Sequence, residues 1–342
     1  MLNPRAQAAI VTTLKNAGNV LDSFIAYHLA IGFAHLFLFF DDPADPDFLR
    51  AAAHPAVTAI AHDATLREHW RRLPQYAEQA PFIDREVMAR QVLNIALAME
   101  LARERGFDWL LNVDSDELFF SPDESAADHF DALSKQPVET IVYLNYEAMP
   151  ERDEIDDFFR EVDLFKVPPE LNRRPITADV VRAVKATPQF NPDFFHFYGA
   201  GKSAVRLSAP GMQPNGVHSF VRRSGQWQAA ESRRQTILHY ACCGFGAFWT
   251  KYVTLGRFSD QWWEKYDIAA SIGRFHLDAR DIVASGNRDA ARAFYRQRVA
   301  MEDKQRVEAL IKLGVLARFP QPRQILEAAK GGHERRSRGD AE

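Results

Sequence analysis

The stretch WLLNVDSDELFF, residues 109–120, sets three carboxylates, Asp114, Asp116 and Glu117, between two apolar runs. Asp114 and Asp116 stand two apart on a strand or its extension, so their side chains are expected to point the same way. Two carboxylates side by side repel, and one is forced neutral unless a cation sits between them. A divalent ion resolves the conflict, and hard oxygen ligands favour magnesium or manganese. Such an ion holds a diphosphate and neutralises it as it leaves. The spacing alone is a weak signal. The chain has another such pair at Asp45-Pro46-Asp47, which reads as a solvated turn. Context strengthens the first: apolar residues on both sides, a second acidic strand end at Asp41 and Asp42, and a preceding helix bearing Arg90, Gln91 and Asn94. Arg90 and Lys202 are candidates to face phosphates.

The elements that must position these groups follow from the apolar pattern. Residues 8–14 are β-branched and apolar and read as a strand. Loop formers 16–19 come next, and Leu21, Phe24, Ile25 and Leu29 then recur at helical spacing up to Gly32. Residues 36–40 form a second buried strand that stops at Asp41, and 57–60 a short third. Asp84 is the predicted N-cap of a helix to about Arg105, with Val87, Val92, Ile95, Ala96 and Met99 on one face and Gly106 past its end. Strand and helix alternate, which predicts βαβ units and a mostly parallel sheet. Ligands bind outside the carboxyl ends of such strands. Right-handed crossovers bring Asp41/Asp42 and Asp114/Asp116 to one rim. After residue 120 the alternation breaks. Strands are expected at 140–146, 202–207, 217–221 and 236–240, loops and short helices over 150–195, helices from 248 to about 329, and a polar disordered tail over 331–342.

Composition bounds the classes. The 342 residues are 46% hydrophobic with a formal net charge of −4, enough for a sizeable core and without the basic field that nucleic acid requires. Cys242 and Cys243 are adjacent, a poor geometry for a disulfide, which fits a reducing compartment. The start shows no secretory pattern, and the longest apolar stretch, 33–40, is too short to span a bilayer. A soluble cytoplasmic protein is expected, with peripheral membrane contact allowed.

KNAGNVLDSFIAYHLAIGFAHLFLFFDD, with its Tyr27-His28 and Gly32, resembles the opening of the glycosyltransferase 2-like group related to glycosyltransferase family 92. RQVLNIALAMELARERGFDWLLNVDSDELFF is similar to that group's helix and acidic strand. GKSAVR, GVHSF and LHYACCGFGAFWTKY resemble its later phrases. The resemblance covers roughly residues 8 to 260. It implies a GT-A-type α/β fold and transfer of a sugar, with inversion, from a nucleotide-sugar to a glycan, lipid-linked or protein acceptor. It places manganese or magnesium on Asp114 and Asp116, with a later histidine as third ligand, His239 in preference to His218. Residues 1–120 would be the nucleotide-sugar half, with Asn16, Asp41, Asp42, Arg90, Gln91 and Lys202 as donor-binding candidates. Residues 121–260 would be the acceptor half and 261–330 a helical extension. Glu147 and Asp193 are alternative general bases at the acceptor hydroxyl. Two departures fall where the nucleoside would bind: the family's Asn-Glu is Asn16-Ala17 here, and its Ser-Thr-Asp-Gly is PADPDF.

The rivals fit less well. A phosphohydrolase of the haloacid dehalogenase kind wants Thr or Val where Leu118 stands. A glycoside hydrolase needs carboxylates flanking the bond, not adjacent. A degenerate protein that binds carbohydrate or a partner without catalysis is the alternative that Ala17 supports.

Overall fold

The computed structural model describes residues 5–339, apart from 191, 192, 196 and 198. The elements of the first half are β1 (Ala8–Leu14), α1 (Val20–Ala30), β2 (His35–Phe40), α2 (Phe48–Ala52), β3 (Val57–Ala61), α3 (Ala64–Arg71), α4 (Tyr76–Gln79), α5 (Val87–Glu104), β4 (Trp109–Asn112), β5 (Glu117–Phe120), α6 (Ala126–Ser134) and β6 (Thr140–Ala148). They are followed by α7 (Phe158–Glu161), β7 (Leu164–Lys166), α8 (Ala178–Lys185), β8 (Lys202–Arg206), β9 (Met212–Asn215), β10 (Ser219–Arg222) and β11 (Ala229–His239). The last stretch holds α9 (Phe245–Leu255), β12 (Gln261–Trp262), β13 (Tyr266–Asp267), α10 (Ile268–Ile272), α11 (Phe275–Ala284), α12 (Arg288–Arg298), α13 (Lys304–Lys312), β14 (Leu316–Arg318) and α14 (Gln321–Gly339).

The chain divides into two units: residues 1–144 with 200–237 and 324–342, and residues 145–199 with 238–323. The division interleaves segments along the chain.

In the first unit the strands lie in the order β8-β4-β1-β2-β3. β1 pairs parallel with β2 and β4, and β2 with β3; β8 joins β4 antiparallel, with Trp109 opposite Arg206. β1 and β2 are buried almost throughout, as parallel strands covered on both faces must be. α5 supplies one cover. Its Leu93, Ile95, Ala96, Met99 and Ala102 share a core with Ala9, Val11, Phe37, Phe39 and Leu110. The α/β class with flanking helices thus stands, and the switch to antiparallel pairing comes from the strands after residue 120.

Local differences have physical reasons. α5 begins at Val87, not at Asp84. The N–H groups of Arg85 and Glu86 bond back to Phe82 in a turn, and Asp84 is left to pair with Arg67 at 2.8 Å. β5 leaves β4 to pair with β11. Its other edge is closed by α1: the Tyr27 hydroxyl donates to the Phe119 carbonyl at 3.0 Å, and the Phe119 N–H donates to His28 Nε2 at 3.3 Å. The Tyr-His phrase is therefore a clasp between helix and strand.

In the second unit Glu147 and Ala148 of β6 pair with β7, which pairs antiparallel with β14. α9, α11 and α12 enclose Phe245, Phe248, Tyr252, Phe275 and Tyr295. Met149, Leu164, Val180, Phe190, Val307 and Leu310 form another core. The region expected to be wholly helical also holds β12, β13 and β14. α14 runs to Gly339, into the segment that composition assigns to a disordered tail, and 340–342 lie outside the described residues. Among the described residues no helix is long and apolar enough to cross a membrane.

Candidate functional site

Asp114 and Asp116 lie in the turn that follows β4, and not along a continuing strand, while Glu117 opens β5. Asp114 and Asp116 therefore do not owe their relation to strand alternation. The turn is closed reciprocally. The Asp114 N–H donates to Glu117 Oε2 at 2.8 Å, and the Glu117 N–H donates to the Asp114 carbonyl at 3.0 Å. β1 holds its entry, with the Thr12 hydroxyl donating to the Val113 carbonyl at 2.9 Å. Glu117 is a site residue that the motif displays and that sequence reasoning left without a role. Its spacing three residues after Asp114, the reach of a side chain back to a turn N–H, is the signal.

Both oxygens of Asp114 are engaged. Lys202 Nζ lies 2.6 Å from Oδ2, and Gln91 Nε2 donates to Oδ1 at 2.8 Å. Lys202 also lies 3.6 Å from Glu117 Oε2. Its side chain is 1% exposed, whereas that of Asp114 is 33% exposed. Desolvation opposes the charge on Asp114, but the ammonium outweighs it and holds the carboxyl below the usual carboxylate range. Burial pushes Glu117 up to about 8 against the pull of Lys202. Burial also opposes the ammonium, yet Asp114 and Glu117 more than offset it and raise Lys202 above an ordinary lysine. Asp116 acts electrostatically on all three groups.

Arg90, the other cation expected to face phosphates, is likewise matched within the protein. Its guanidinium grips both oxygens of Asp41, with Nη2 at 2.7 Å from Oδ2, and donates to the Ile83 carbonyl. Arg90 and Asp41 were separate donor-binding candidates; they form one ion pair, 13% and 11% exposed. Asp42 accepts from the Ala44 N–H at 3.0 Å and faces Lys15 at 3.8 Å.

Asp45-Pro46-Asp47 is not a solvated turn. Both aspartates are buried, and they hold the loop after β1: Asp45 Oδ2 accepts from the Asn16 N–H at 2.6 Å and Asp47 Oδ2 from the Gly18 N–H at 2.7 Å. Asn16 itself takes a left-handed conformation, φ 52°. The reason is that loop amides beside a buried strand end need acceptors, and the departing PADPDF segment supplies them.

His218 belongs to the same unit as the acidic turn. Its Nδ1 bonds the Gly201 carbonyl at 2.8 Å, and it is near enough to Asp114 to act on that carboxyl. His239 belongs to the second unit, where it is buried with its ring 5.8 Å from that of Phe197. The alternative bases are neighbours there. Glu147 is fully buried and ion-paired with Lys166 at 2.8 Å. Asp193 is half-buried, accepts from the Phe195 N–H at 3.1 Å, and acts on Glu147. Burial raises the pKa of both acids.

The donor set of the turn suits a hard divalent ion. Asp114, Asp116 and Glu117 set hard oxygen atoms around the Lys202 ammonium, and burial holds Glu117 toward its neutral form. Among the described residues no three His, Cys, Asp or Glu side chains gather as a ready cage.

Fold and site together define an α/β protein with an acidic turn at the carboxyl end of its parallel strands. No protein-family model matches the chain. It is 28% identical over 333 residues to Glycosyltransferase-like At2g41451 of Arabidopsis thaliana, spanning 93% of this chain and 71% of that protein. It is 25% identical over 334 residues to Glycosyltransferase-like At3g57200 of the same plant, spanning 93% of this chain and 62% of that one. Solved structures with local likeness include S. aureus TarS, at 11% identity, TM-score 0.29, 59% of this chain and 28% of that one. Another is glucosyl-3-phosphoglycerate synthase from Mycobacterium tuberculosis with Mn2+, UDP and glucosyl-3-phosphoglycerate, at 11% identity, TM-score 0.26, 60% of this chain and 57% of that one. Structural likeness at that level carries no inference about chemistry.

Proposed function

We propose that this protein is a GT-A-type glycosyltransferase that moves a sugar from a nucleotide-sugar to a carbohydrate-type acceptor. The observation that carries the reading is the acidic turn at the end of β4, which sets Asp114 and Asp116 beside the buried Lys202 ammonium. The two glycosyltransferase-like relatives support it over nearly the whole chain.

Asp114 and Asp116 are the residues that would hold manganese or magnesium with the donor's diphosphate. When bound, the ion supplies positive charge to the departing diphosphate. The protein's own part is to keep the turn in place through Gln91, Lys202 and Glu117, and to fix the β1 loop with Asp45 and Asp47. In the transfer the bond from the sugar's anomeric carbon to diphosphate breaks, the acceptor oxygen bonds that carbon, and the acceptor proton passes to a base. Asp193 is the better base of the two candidates. It is half-buried and so reachable, while Glu147 is shut in with Lys166. A raised pKa suits a group that must take up a proton. Attack from the face opposite the diphosphate gives inversion.

The test is turnover of UDP-, GDP-, CDP- and TDP-sugars with manganese, read as nucleotide release without added acceptor. Release that depends on manganese and disappears in Asp116→Asn supports the transferase. Manganese-dependent nucleotide binding without any release would favour the binding-only protein.

A further inference from the structure

We infer that Lys202 is a built-in counter-ion of the acidic turn: it keeps the turn folded without a divalent ion and makes the site take that ion together with an anionic ligand. The inference rests on the reading of Asp114 and Asp116 as metal-holding residues. Its basis is the placement of one side chain. Lys202 is 1% exposed, opens β8, and lies 2.6 Å from Asp114 and 3.6 Å from Glu117. Gly201 sets that position. Its φ is +66°, and a Cβ there would lie 2.0 Å from the Tyr143 carbonyl oxygen, so the backbone enters β8 by a path that only glycine follows.

A buried ammonium of this kind has two consequences. Without it, Asp114 and Asp116 repel with no fixed ammonium between them and Glu117, so the turn would open or demand an external cation. With it, a free divalent ion arriving at Asp114 meets a fixed positive charge that cannot move into water. A nucleoside diphosphate brings negative charge of its own and removes that penalty. The ammonium thus discriminates against the bare ion and in favour of the ion with its diphosphate.

The experiment uses Lys202→Met, which keeps the length and removes the charge, with manganese chloride as probe in the presence and absence of UDP. Thermal unfolding and manganese titration followed by electron paramagnetic resonance are the readouts. Lys202→Met is expected to melt lower than wild type without metal, to recover on adding manganese, and to bind manganese without UDP more tightly by on the order of tenfold or more. Wild type should need UDP to reach comparable affinity. A Lys202→Met protein that is as stable as wild type without metal, and binds bare manganese no better, overturns the inference. If Lys202→Met does not fold without metal, the double variant Lys202→Met/Asp114→Asn removes one charge of each sign and is expected to fold; its failure to fold also overturns it. Should wild type bind no manganese with any nucleoside diphosphate while Asp114→Asn restores the stability lost in Lys202→Met, the transferase reading fails and the counter-ion role stands.

Discussion

Asp114 and Asp116 look equivalent in the motif and differ in what surrounds them. Asp114 neutralises a fully buried lysine, so Asp114→Asn leaves that ammonium without its nearest counter-charge. We expect a loss of about 3–5 kcal/mol, the usual cost of breaking a buried pair from one side. A urea titration of variant and wild type reads it directly, and a midpoint within error of wild type would remove Asp114 from the fold's charge balance. Asp116→Asn should show its main effect in ligand linkage. At a hundredfold excess over the dissociation constant, manganese with UDP should stabilise wild type by about 2.7 kcal/mol, and the variant should lose most of that gain. Asp193→Asn belongs to the other side of the chemistry. Its expected signature is a drop in transfer of about 10²–10⁴-fold with the manganese–UDP stabilisation unchanged. A parallel loss of nucleotide binding would mean that Asp193 is not acting as the base.

At the scale of elements, the clasp between α1 and β5 makes an acid-stability prediction. His28 is fully buried, bonds the Phe24 carbonyl through Nδ1 and accepts from Phe119 through Nε2, which requires the neutral ring. Burial lowers its pKa from 6.5 to about 3. Between those values the unfolded chain binds the proton and the folded chain does not, so stability falls as pH drops below about 6.5. The slope from His28 alone is on the order of 1 kcal/mol per pH unit. In His28→Gln, whose amide can still accept from Phe119, melting temperature should fall less steeply from pH 6.5 to 4; an unchanged slope would assign the acid sensitivity elsewhere. Gly201 marks the other critical junction. Gly201→Ala forces a Cβ into the Tyr143 carbonyl at a left-handed φ, and a loss above about 2 kcal/mol is expected. Equilibrium unfolding measures it, and a neutral result would mean that the entry to β8 can shift.

For the whole molecule, the α/β alternation of the first 120 residues was legible because its signals are local. Buried parallel strands read as continuous apolar runs such as 35–40, and α5 reads from its apolar stripe. The second unit was harder, since strands β7 and β14 are short and lie far apart in sequence, so neither carries a pattern long enough to declare itself. The sequence by itself determined that acidic groups would end apolar strands, and it singled out Arg90, Gln91, Lys202, Glu147 and Asp193 only as candidates. Tertiary structure alone decided who neutralises whom. Arg90 takes Asp41 across 49 residues, Lys202 takes Asp114 across 88, and Asp45 closes on the Asn16 amide across 29. The physical reason is that strand and helix patterns come from bonds and burial repeating every few residues, whereas a charge finds its partner through space, under a desolvation cost that exists only once the chain has folded around it.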